Sequence, residues 1–525
     1  MPNEREKSGT PISLWVLRGL RGALMAISAL AILAFVAAAR YRLHFAYEYD
    51  WIEDGMLACL RRMHSGLPLY TAPSVYFTPY LYTPVYLYLA AAMAKVTGVS
   101  YATLRLLSIL STLGCCGAIY ALVFSETRRH FAALAAAGLF AACYPAVDGS
   151  FDVGRVDMLW IFFVLCALFA TRRMHPLFAA LLWVCAFQTK QGVLPVALLM
   201  LCHDWQRPRR VLIGVCGFAA LLGISIAWLT HATGGWYHYY VFDIAGGFGY
   251  DAQKAMQFIP DDLLSVCGIA LVVIVAALVL ERRGWRTSAF SFYALGTVGM
   301  VIFTGYIRAH RGANTNTLIP AYAWIAVLFG IALARLYRWL EARPAKWARV
   351  ALGLLVLAAM VQVAQQYYVP GDFSSSPEEL AFRNGFEATV RSIPGDVLVL
   401  SHPEYGRMAG KTEYASSEAS GAVIEARRQE NGDRLMADYA ALIHSGRLSA
   451  VVLDWPAEQY LMHARVWMPR DFLAYYPLRV EAVGGDAVRF ASQPKWIYLP
   501  CPATGAADVA RMLDAHVDES ACAGR

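Results

Sequence analysis

Residues 13–39 read SLWVLRGLRGALMAISALAILAFVAAA, and the acidic stretch YEYDWIED follows at 47–54. The first segment exceeds the roughly 20 apolar residues that a membrane-spanning helix needs. It is too long for the apolar part of a cleavable signal peptide, and no small-residue cleavage site follows it. We therefore expect a retained first membrane helix that delivers a group of carboxylates to the membrane surface.

The whole chain has the composition of a membrane protein. Of its 525 residues, 58% are hydrophobic and 16% are charged, and the mean hydropathy is +0.44. A soluble domain of this size does not sustain such values. The net charge of +7 resides largely in short loops, where Lys and Arg set membrane orientation. We expect a lipid bilayer as partner and no nucleic acid.

Apolar segments recur along the first 368 residues. They lie at 13–39, 101–124, 131–146, 158–170, 176–187, 192–201, 211–229, 263–280, 289–303, 318–334 and 350–363. Several are shorter than the roughly 20 residues that a lone span requires, so their ends are not fixed by the pattern. The sequence predicts a polytopic α-helical membrane region of about 11 transmembrane helices.

Basic clusters give these helices an orientation. With the N-terminus inside, the Arg clusters of the loops all fall on the cytoplasmic side, as membrane proteins prefer. This requires residues 176–201 to form two short helices with Lys190 at their outer turn, because a single span there would reverse every later loop. The sequence then predicts an external first loop at about 40–100 and an external tail.

The chain changes character after residue 368. Residues 369–525 have ordinary polarity, with an apolar run at 396–400, a helical pattern at 432–445 and the strand-like SAVVLD at 449–454. We expect a transmembrane catalytic domain at 1–368 and an extracytoplasmic α/β domain at 369–525. Of 11 cysteines, Cys501 and Cys522 lie in this second region and could pair if it is outside.

Four acidic side chains follow the first helix, namely Glu48, Asp50, Glu53 and Asp54. Carboxylates sheltered by neighbouring rings can have shifted pKa values and act as a general base. Any one of them could instead cap the helix that begins near Gly55 or stay solvated at the interface. We interpret the cluster as a whole as functional.

Tyrosines and prolines punctuate the rest of the first loop. The tyrosines are Tyr70, Tyr76, Tyr80, Tyr82, Tyr86 and Tyr88. An interfacial aromatic belt explains most of them. A tyrosine surface beside carboxylates also suits a sugar, whose C–H faces pack on rings while its hydroxyls bond to acids. Tyr82 is our candidate for a sugar or acceptor contact.

Basic residues in the other external loops indicate an anionic ligand. Arg155 and Asp157 could form a simple interfacial salt bridge, but Lys190 would occupy a costly position between two apolar helices. The loop YIRAHRGANTNTLIP at 306–320 adds two more external arginines. We expect Lys190, Arg155, Arg308 and Arg311 to hold a phosphate, and Asp157, Asn314 and Asn316 to contact sugar or acceptor.

Several short motifs, in this order, resemble those of the GT-C superfamily of membrane glycosyltransferases, especially bacterial protein mannosyltransferase and aminoarabinose transferase types. They are Glu53-Asp54-Gly55, Ser65 to Tyr70, Tyr82-Thr83-Pro84, Arg105, Arg155-Val156-Asp157, Thr189-Lys190-Gln191 and Gly312 to Asn316. The resemblance implies a polyprenyl-phosphate-linked sugar donor and transfer on the outer face of the bacterial inner membrane. It implies a first-loop catalytic carboxylate, which falls on Glu53 and Asp54. Their order is reversed relative to many relatives, so Asp50 stays a candidate.

We thus expect an inverting glycosyltransferase with Asp54, Glu53 or Asp50 as general base and a lipid, glycan or protein acceptor. No cofactor or metal site is assigned, although the acids could bind a divalent cation. A lipid-linked oligosaccharide flippase or polymerase is the alternative, although the chain lacks the internal repeat common in transporters. A non-catalytic scaffold would leave the carboxylates and Lys190 unexplained.

Overall fold

The computed structural model describes residues 11–244, 249–280, 288–426, 430–462, 468–481 and 493–501. Its first part is helical. The helices are α1 Pro11–Leu43, α2 Trp51–His64, α3 Val85–Thr97, α4 Tyr101–Thr127, α5 His130–Ala142, α6 Asp157–Arg173, α7 Pro176–Phe187, α8 Leu194–Leu201, α9 Pro208–Ala232, α10 Trp236–His238, α11 Ala252–Gln257, α12 Ser265–Leu280, α13 Ser288–Thr297, α14 Phe303–Arg308, α15 Ile319–Glu341 and α16 Lys346–Ala364. The π-helical segments Tyr239–Asp243, Phe258–Leu264 and Val298–Ile302 continue α10, α11 and α13.

The chain is a multi-pass membrane protein. In the part that the structure describes, seven helices are long and apolar enough to cross a bilayer. They are Trp15–Leu43, Tyr101–Thr127, Pro208–Ala232, Ala252–Leu280, Ala289–Arg308, Thr315–Glu341 and Trp347–Ala364. Each apolar segment found in the sequence falls on helical structure, but several helices are short, so the count of eleven spans stays a prediction.

Small residues allow the central helices to pack closely. Helix α15 is buried along most of its length and crosses α5, which is rich in alanine. A Cβ atom on Gly330 of α15 would lie 2.8 Å from the Cβ of Ala136. On the other face of α5, a Cβ on Gly138 would lie 2.5 Å from the Cβ of Ser28 in α1. Glycine and alanine thus let α1, α5 and α15 approach closely.

Helices α7 and α8 form the predicted pair of short helices. A Cβ atom on Gly214 of α9 would lie 3.2 Å from Leu201, the last residue of α8, and 3.6 Å from Pro176, the first residue of α7. The chain therefore returns through α8 to the level at which α7 begins. Lys190 lies in the turn between the two helices, at the opposite end of the pair.

Basic side chains gather at the end of the bundle away from Lys190. Arg129 pairs with Glu341 at 2.8 Å, and Arg172 pairs with Glu126 at 3.0 Å. Arg210 donates to the main chain just after α6. This grouping is what the positive-inside rule favours for the cytoplasmic side. The orientation in the membrane itself stays a prediction.

The C-terminal part contains a four-stranded sheet with order β1-β2-β4-β3. Its elements are α17 Pro377–Ser392, β1 Asp396–Val399, α18 Pro403–Met408, α19 Ser417–Glu425, α20 Glu430–His444, β2 Leu448–Leu453, α21 Ala457–Met462, α22 Phe472–Tyr475, β3 Leu478–Glu481 and β4 Trp496–Leu499. Strands β1 and β2 run parallel, with Val399 opposite Val452, and β4 runs antiparallel to both of its neighbours. Its role as an external α/β domain stays a prediction, and so does its disulfide, because Cys522 lies outside the described residues.

Candidate active site

Asp50 lies where the first loop turns into α2. Its backbone is extended, and its Oδ1 accepts a hydrogen bond from the Ile52 amide at 2.9 Å, which makes Asp50 the N-cap of α2. An aspartate is well suited to this position because it satisfies a free helical N–H. The other oxygen, Oδ2, accepts from Arg155 Nη1 at 2.7 Å. The Asp50 side chain is 20% exposed, so the carboxylate is both held and accessible.

Asp50 begins a ladder of alternating charges, which we define as Asp50, Arg155, Asp157 and Lys190. Arg155 Nε lies 3.2 Å from Asp157 Oδ2, and Lys190 Nζ lies 2.5 Å from Asp157 Oδ1. Asn316 also donates to Asp157 Oδ2, at 3.1 Å. Asp157 is therefore buried with three donors, whereas Lys190 keeps 25% of its side chain exposed. The ladder joins the first loop, the start of α6 and the α7–α8 turn. Asn316 connects it to the segment before α15.

The first loop is fastened to the α7–α8 turn beside Tyr82. Thr83 Oγ1 donates to the Phe187 carbonyl at 2.9 Å, and Gln191 Nε2 donates to the Leu81 carbonyl at 2.8 Å. Tyr82 is thereby held close to the ladder, and burial raises the pKa of its phenol against the opposing charge of Arg155. A neutral Tyr82 hydroxyl can donate a hydrogen bond to a bound sugar.

Glu53 has a different environment although it lies only one helical turn from Asp50. It is fully buried. Arg105 donates hydrogen bonds to both of its oxygens, from Nε to Oε1 at 2.9 Å and from Nη2 to Oε2 at 2.7 Å. The amides of Gly154 and Tyr49 fill the remaining positions at 2.7 and 2.8 Å. A Cβ on Gly154 would lie 2.8 Å from the Cβ of Leu104 and 3.1 Å from Glu53 Oε1, so a larger residue would force its neighbours to shift. Both carboxylate oxygens of Glu53 therefore accept hydrogen bonds from the protein itself.

Asp54 is also buried, and its contacts lead away from the ladder. Tyr101 of α4 donates to Oδ1, and the amide of Glu404 in α18 lies 3.4 Å from Oδ2. Burial, and then the negative charge of Glu48, raise the pKa of Asp54 well above its ordinary value. Burial would also raise the pKa of Glu48, but the positive charge of Arg383 is the largest opposing effect, and the pKa is lowered to about 2.

The predicted phosphate-binding arginines of the 306–320 loop are spread out. Arg308 Nε is paired with Asp262 Oδ2 at 2.9 Å, whereas Arg311 and Asn314 are exposed. Within the described residues, only Asn316 of this loop is hydrogen-bonded to the ladder. The structure therefore joins Asn316 to Asp157 of the ladder, whereas Arg308 pairs with Asp262.

Glu418 is a candidate site residue that the sequence does not mark. It lies in the first turn of α19, in the C-terminal part, and it is exposed to solvent. Partial loss of hydration beside the surrounding protein nevertheless raises the pKa of Glu418 to about 7, and the negative charge of Asp50 contributes to the same rise. Only the folded chain brings α19 beside the first loop, so no local pattern could have identified this residue.

Comparisons with known proteins agree with this architecture. Residues 80–305 match the model of glycosyltransferase family 87. This stretch is less than half of the chain, and its likeness to a glycosyltransferase family supports glycosyltransferase activity for this membrane protein. The matched stretch of the transferase includes three members of the ladder, namely Arg155, Asp157 and Lys190. No curated protein sequence is similar enough to count as a match.

Solved structures share the fold of this transferase. ArnT from Cupriavidus metallidurans bound to undecaprenyl phosphate is similar with a TM-score of 0.53 at 12% identity, over 85% of this chain and 97% of ArnT. Its apo state gives 0.55 at 12% identity, over 91% and 97%. The Archaeoglobus fulgidus oligosaccharyltransferase in the apo form gives 0.51 at 12% identity, over 82% and 69%. At such low identity, these likenesses establish the fold alone.

Proposed function

We propose that the transferase moves a sugar from a polyprenyl-phosphate donor to an acceptor hydroxyl on the extracytoplasmic face, with inversion at the anomeric carbon. The acceptor is a lipid, glycan or protein hydroxyl. The donor class is supported by the fold, because a protein of the same fold, ArnT, has been crystallised with undecaprenyl phosphate. The ladder supplies the base and the cations that this reaction needs.

Asp50 is the general base in this proposal, and its combination of exposure and positioning is the observation that carries it. Among the three first-loop candidates, Glu53 and Asp54 are buried with protein partners, whereas Asp50 is 20% exposed. Asp50 removes the proton of the acceptor hydroxyl as that oxygen attacks the anomeric carbon. The bond from the anomeric carbon to the phosphate oxygen breaks, and polyprenyl phosphate leaves with the electron pair. Attack opposite the leaving group inverts the configuration.

Lys190 and Arg155 stabilise the negative charge that develops on the departing phosphate. The Lys190 ammonium group has three N–H donors and uses one in its hydrogen bond to Asp157, so another can bind a phosphate oxygen. Fixed cations aimed at a developing charge lower the barrier without reorganisation. Arg308 and Arg311 have a secondary role here, because Arg308 is already paired with Asp262 and Arg311 is exposed.

The sugar and acceptor lie against Tyr82, Asp157, Asn314 and Asn316 in this proposal. A divalent cation in the ladder would need carboxylate oxygens that are not already paired. Asp50 accepts from Arg155, and Asp157 accepts from Arg155 and Lys190. These donors do not fit a cation site, and no step of the proposed reaction runs through a metal.

The proposed arrangement has a catalytic membrane domain at 1–368 and a second domain at 369–525. The N-terminus lies in the cytoplasm and the second domain outside the bacterial inner membrane, because the ladder is at the bundle end opposite the basic clusters. Reporter fusions after Arg210 and Asp372 test this. Cytoplasmic signal after Arg210 and external signal after Asp372 are expected; the reverse would contradict the orientation.

Transfer by the purified protein tests the function. The full chain is reconstituted in liposomes with polyprenyl-phosphate sugars that are labelled in the sugar, and both free lipid phosphate and movement of label across the bilayer are measured. A transferase releases lipid phosphate in proportion to glycosylated acceptor. A flippase would move the intact donor and a polymerase would join donor-linked units, and either result would overturn the proposal.

A further inference from the structure

Glu48, Asp54 and His402 form a compact buried group outside the ladder. One ligand atom from each residue lies within 4.8 Å of those of the other two. Their side chains are at most 1% exposed. Glu48 and Asp54 come from the first loop, whereas His402 immediately precedes α18 in the C-terminal part. The group therefore joins two parts of the chain that are distant in sequence.

Two atoms in this group have no hydrogen bond within the described part of the chain. They are Glu48 Oε2 and His402 Nδ1. His402 Nδ1 lies 3.0 Å from Glu48 Oε1, a distance that allows an ion pair if the imidazole is protonated, but the two atoms do not meet the geometry of a hydrogen bond. Leaving a buried charged acceptor unsatisfied is costly, and such atoms normally have a partner. These two atoms thus indicate a ligand among the three side chains.

Each of the three side chains is supported on its other side. Arg383 Nη1 donates to Glu48 Oε1 at 2.9 Å, and Tyr101 donates to Asp54. His402 Nε2 lies 3.2 Å from Asp454 Oδ2. An imidazole that gives one N–H to a carboxylate is fixed in orientation and presents its other nitrogen as a stronger ligand. This carboxylate–histidine arrangement is typical of metal sites.

We propose that Glu48, Asp54 and His402 bind a divalent transition-metal ion of the zinc class, with water completing a four-coordinate site. One imidazole nitrogen and two carboxylate oxygens are suitable ligands for Zn²⁺. Two carboxylates also neutralise the charge of the ion. The site fastens the first loop to the segment between β1 and α18.

This metal site also positions Asp50, which lies between two of its ligands in the chain. The positioning role rests on the proposed function, whereas metal binding does not. In the described part of the chain, the hydrogen bonds and ion pairs of the three ligand side chains do not include Asp50 or any other ladder residue. The ion is therefore a fastening for the loop and not a participant in transfer.

Metal content of the full-length protein tests the proposal directly. Tag-free protein is treated with EDTA, incubated with ZnCl₂, MnCl₂ or MgCl₂ without donor or acceptor, and measured by elemental mass spectrometry and thermal unfolding. We expect about one zinc per chain and a rise in Tm on adding zinc, because a ligand that binds only the native state stabilises it. Absence of both effects for zinc and manganese in the parent protein would overturn the proposal.

Variants locate the ion. His402→Gln should lose stoichiometric zinc, and Asp454→Asn, which removes only the supporting carboxylate, should weaken zinc affinity by about 10- to 100-fold. His444→Ala is the matched control, because His444 also pairs with an aspartate, at 3.0 Å from Asp471, but is exposed. If His402→Gln fails to fold, Asp454→Asn decides the question. Unchanged zinc affinity in Asp454→Asn, or equal loss in His444→Ala, would contradict the site. Because these readouts need no substrate, they fail independently of the transferase assay.

Discussion

Asp50 and Glu53 are one helical turn apart in the same loop, yet they have opposite environments. Asp50 caps α2, pairs with Arg155 and keeps 20% of its side chain exposed. Glu53 is fully buried, and Arg105 with two main-chain amides satisfies its oxygens. The comparison teaches that an acidic motif alone does not identify the base. Accessibility separates a carboxylate that can meet substrate from one that holds the loop together.

The same contrast applies to the cations. Arg105 is 1% exposed and wholly engaged by Glu53 and main-chain oxygens, whereas Lys190 has one partner in the ladder and retains exposed surface. A cation of the first kind stabilises the fold, and a cation of the second kind can bind an anionic ligand.

Replacing Asp50 by Asn should give the largest effect on rate. Asparagine also caps helices well, so the fold should be kept, but the proton acceptor is lost. We expect turnover to fall by about 100- to 10,000-fold, the usual contribution of a general base. Donor binding and Tm should stay near the parent values. Transfer assays and thermal unfolding on one preparation check this, and turnover within a few-fold of the parent would remove Asp50 from the chemistry.

Replacing Glu53 by Gln should act on stability instead. The buried Arg105 would lose its charged partner, and breaking a buried pair costs about 3–5 kcal/mol. We expect much lower yield and Tm, with the rate per folded molecule changed by less than about tenfold. Thermal unfolding in detergent measures the first quantity, and active-site titration with donor measures the second. If the Glu53→Gln protein were stable but inactive, Glu53 would be the general base and Asp50 the structural acid.

Replacing Lys190 by Met should weaken donor binding. A hydrogen bond to a charged group contributes about 1.5–3 kcal/mol, so we expect donor affinity to fall by roughly tenfold or more. Asp157 keeps Arg155 and Asn316 as donors, which limits the loss of stability. Lys95→Met, at an exposed position on α3, is the control. Equal donor affinity in the two variants would make Lys190 a structural partner of Asp157.

Glu418 should give the smallest effect, visible only as a pH dependence. With a raised pKa of about 7, its carboxyl is neutral below that pH and negative above it. A negative charge beside Asp50 disfavours an anionic donor, so the parent's donor KM should rise by a few-fold as pH increases through about 7. In Glu418→Gln this rise should vanish. An identical pH profile in both proteins would exclude Glu418 from the donor site.

Much of the membrane architecture could be predicted from the sequence because it depends on local composition. Long apolar runs form helices in a bilayer whatever their neighbours, and charge in short loops indicated that 176–201 forms two short helices. The strand-like run at 448–453 coincides with β2, and the apolar run at 396–400 contains β1. Span number could not be fixed, because helices such as α5 and α7 are shorter than a bilayer and depend on their neighbours.

The candidate site was only partly predictable. The sequence identified the residues of the ladder, because charge at the membrane edge is rare and therefore conspicuous. The resemblance placed the base on Glu53 or Asp54 ahead of Asp50, and the sequence could not show how deeply those two are buried. Their burial depends on Arg105 and on α18, which approach only in the folded chain. For the same reason Arg308 was expected to bind phosphate although Asp262 pairs with it.

The central claim is that Asp50, and not its buried neighbours, performs the chemical step. Single-turnover transfer at saturating donor, normalised to folded protein, compares Asp50→Asn, Glu53→Gln and Asp54→Asn most directly. We predict that only Asp50→Asn loses about 100-fold or more of the rate, while the other two stay within about tenfold of the parent. A normal rate in Asp50→Asn together with a lost rate in Glu53→Gln or Asp54→Asn would contradict the account.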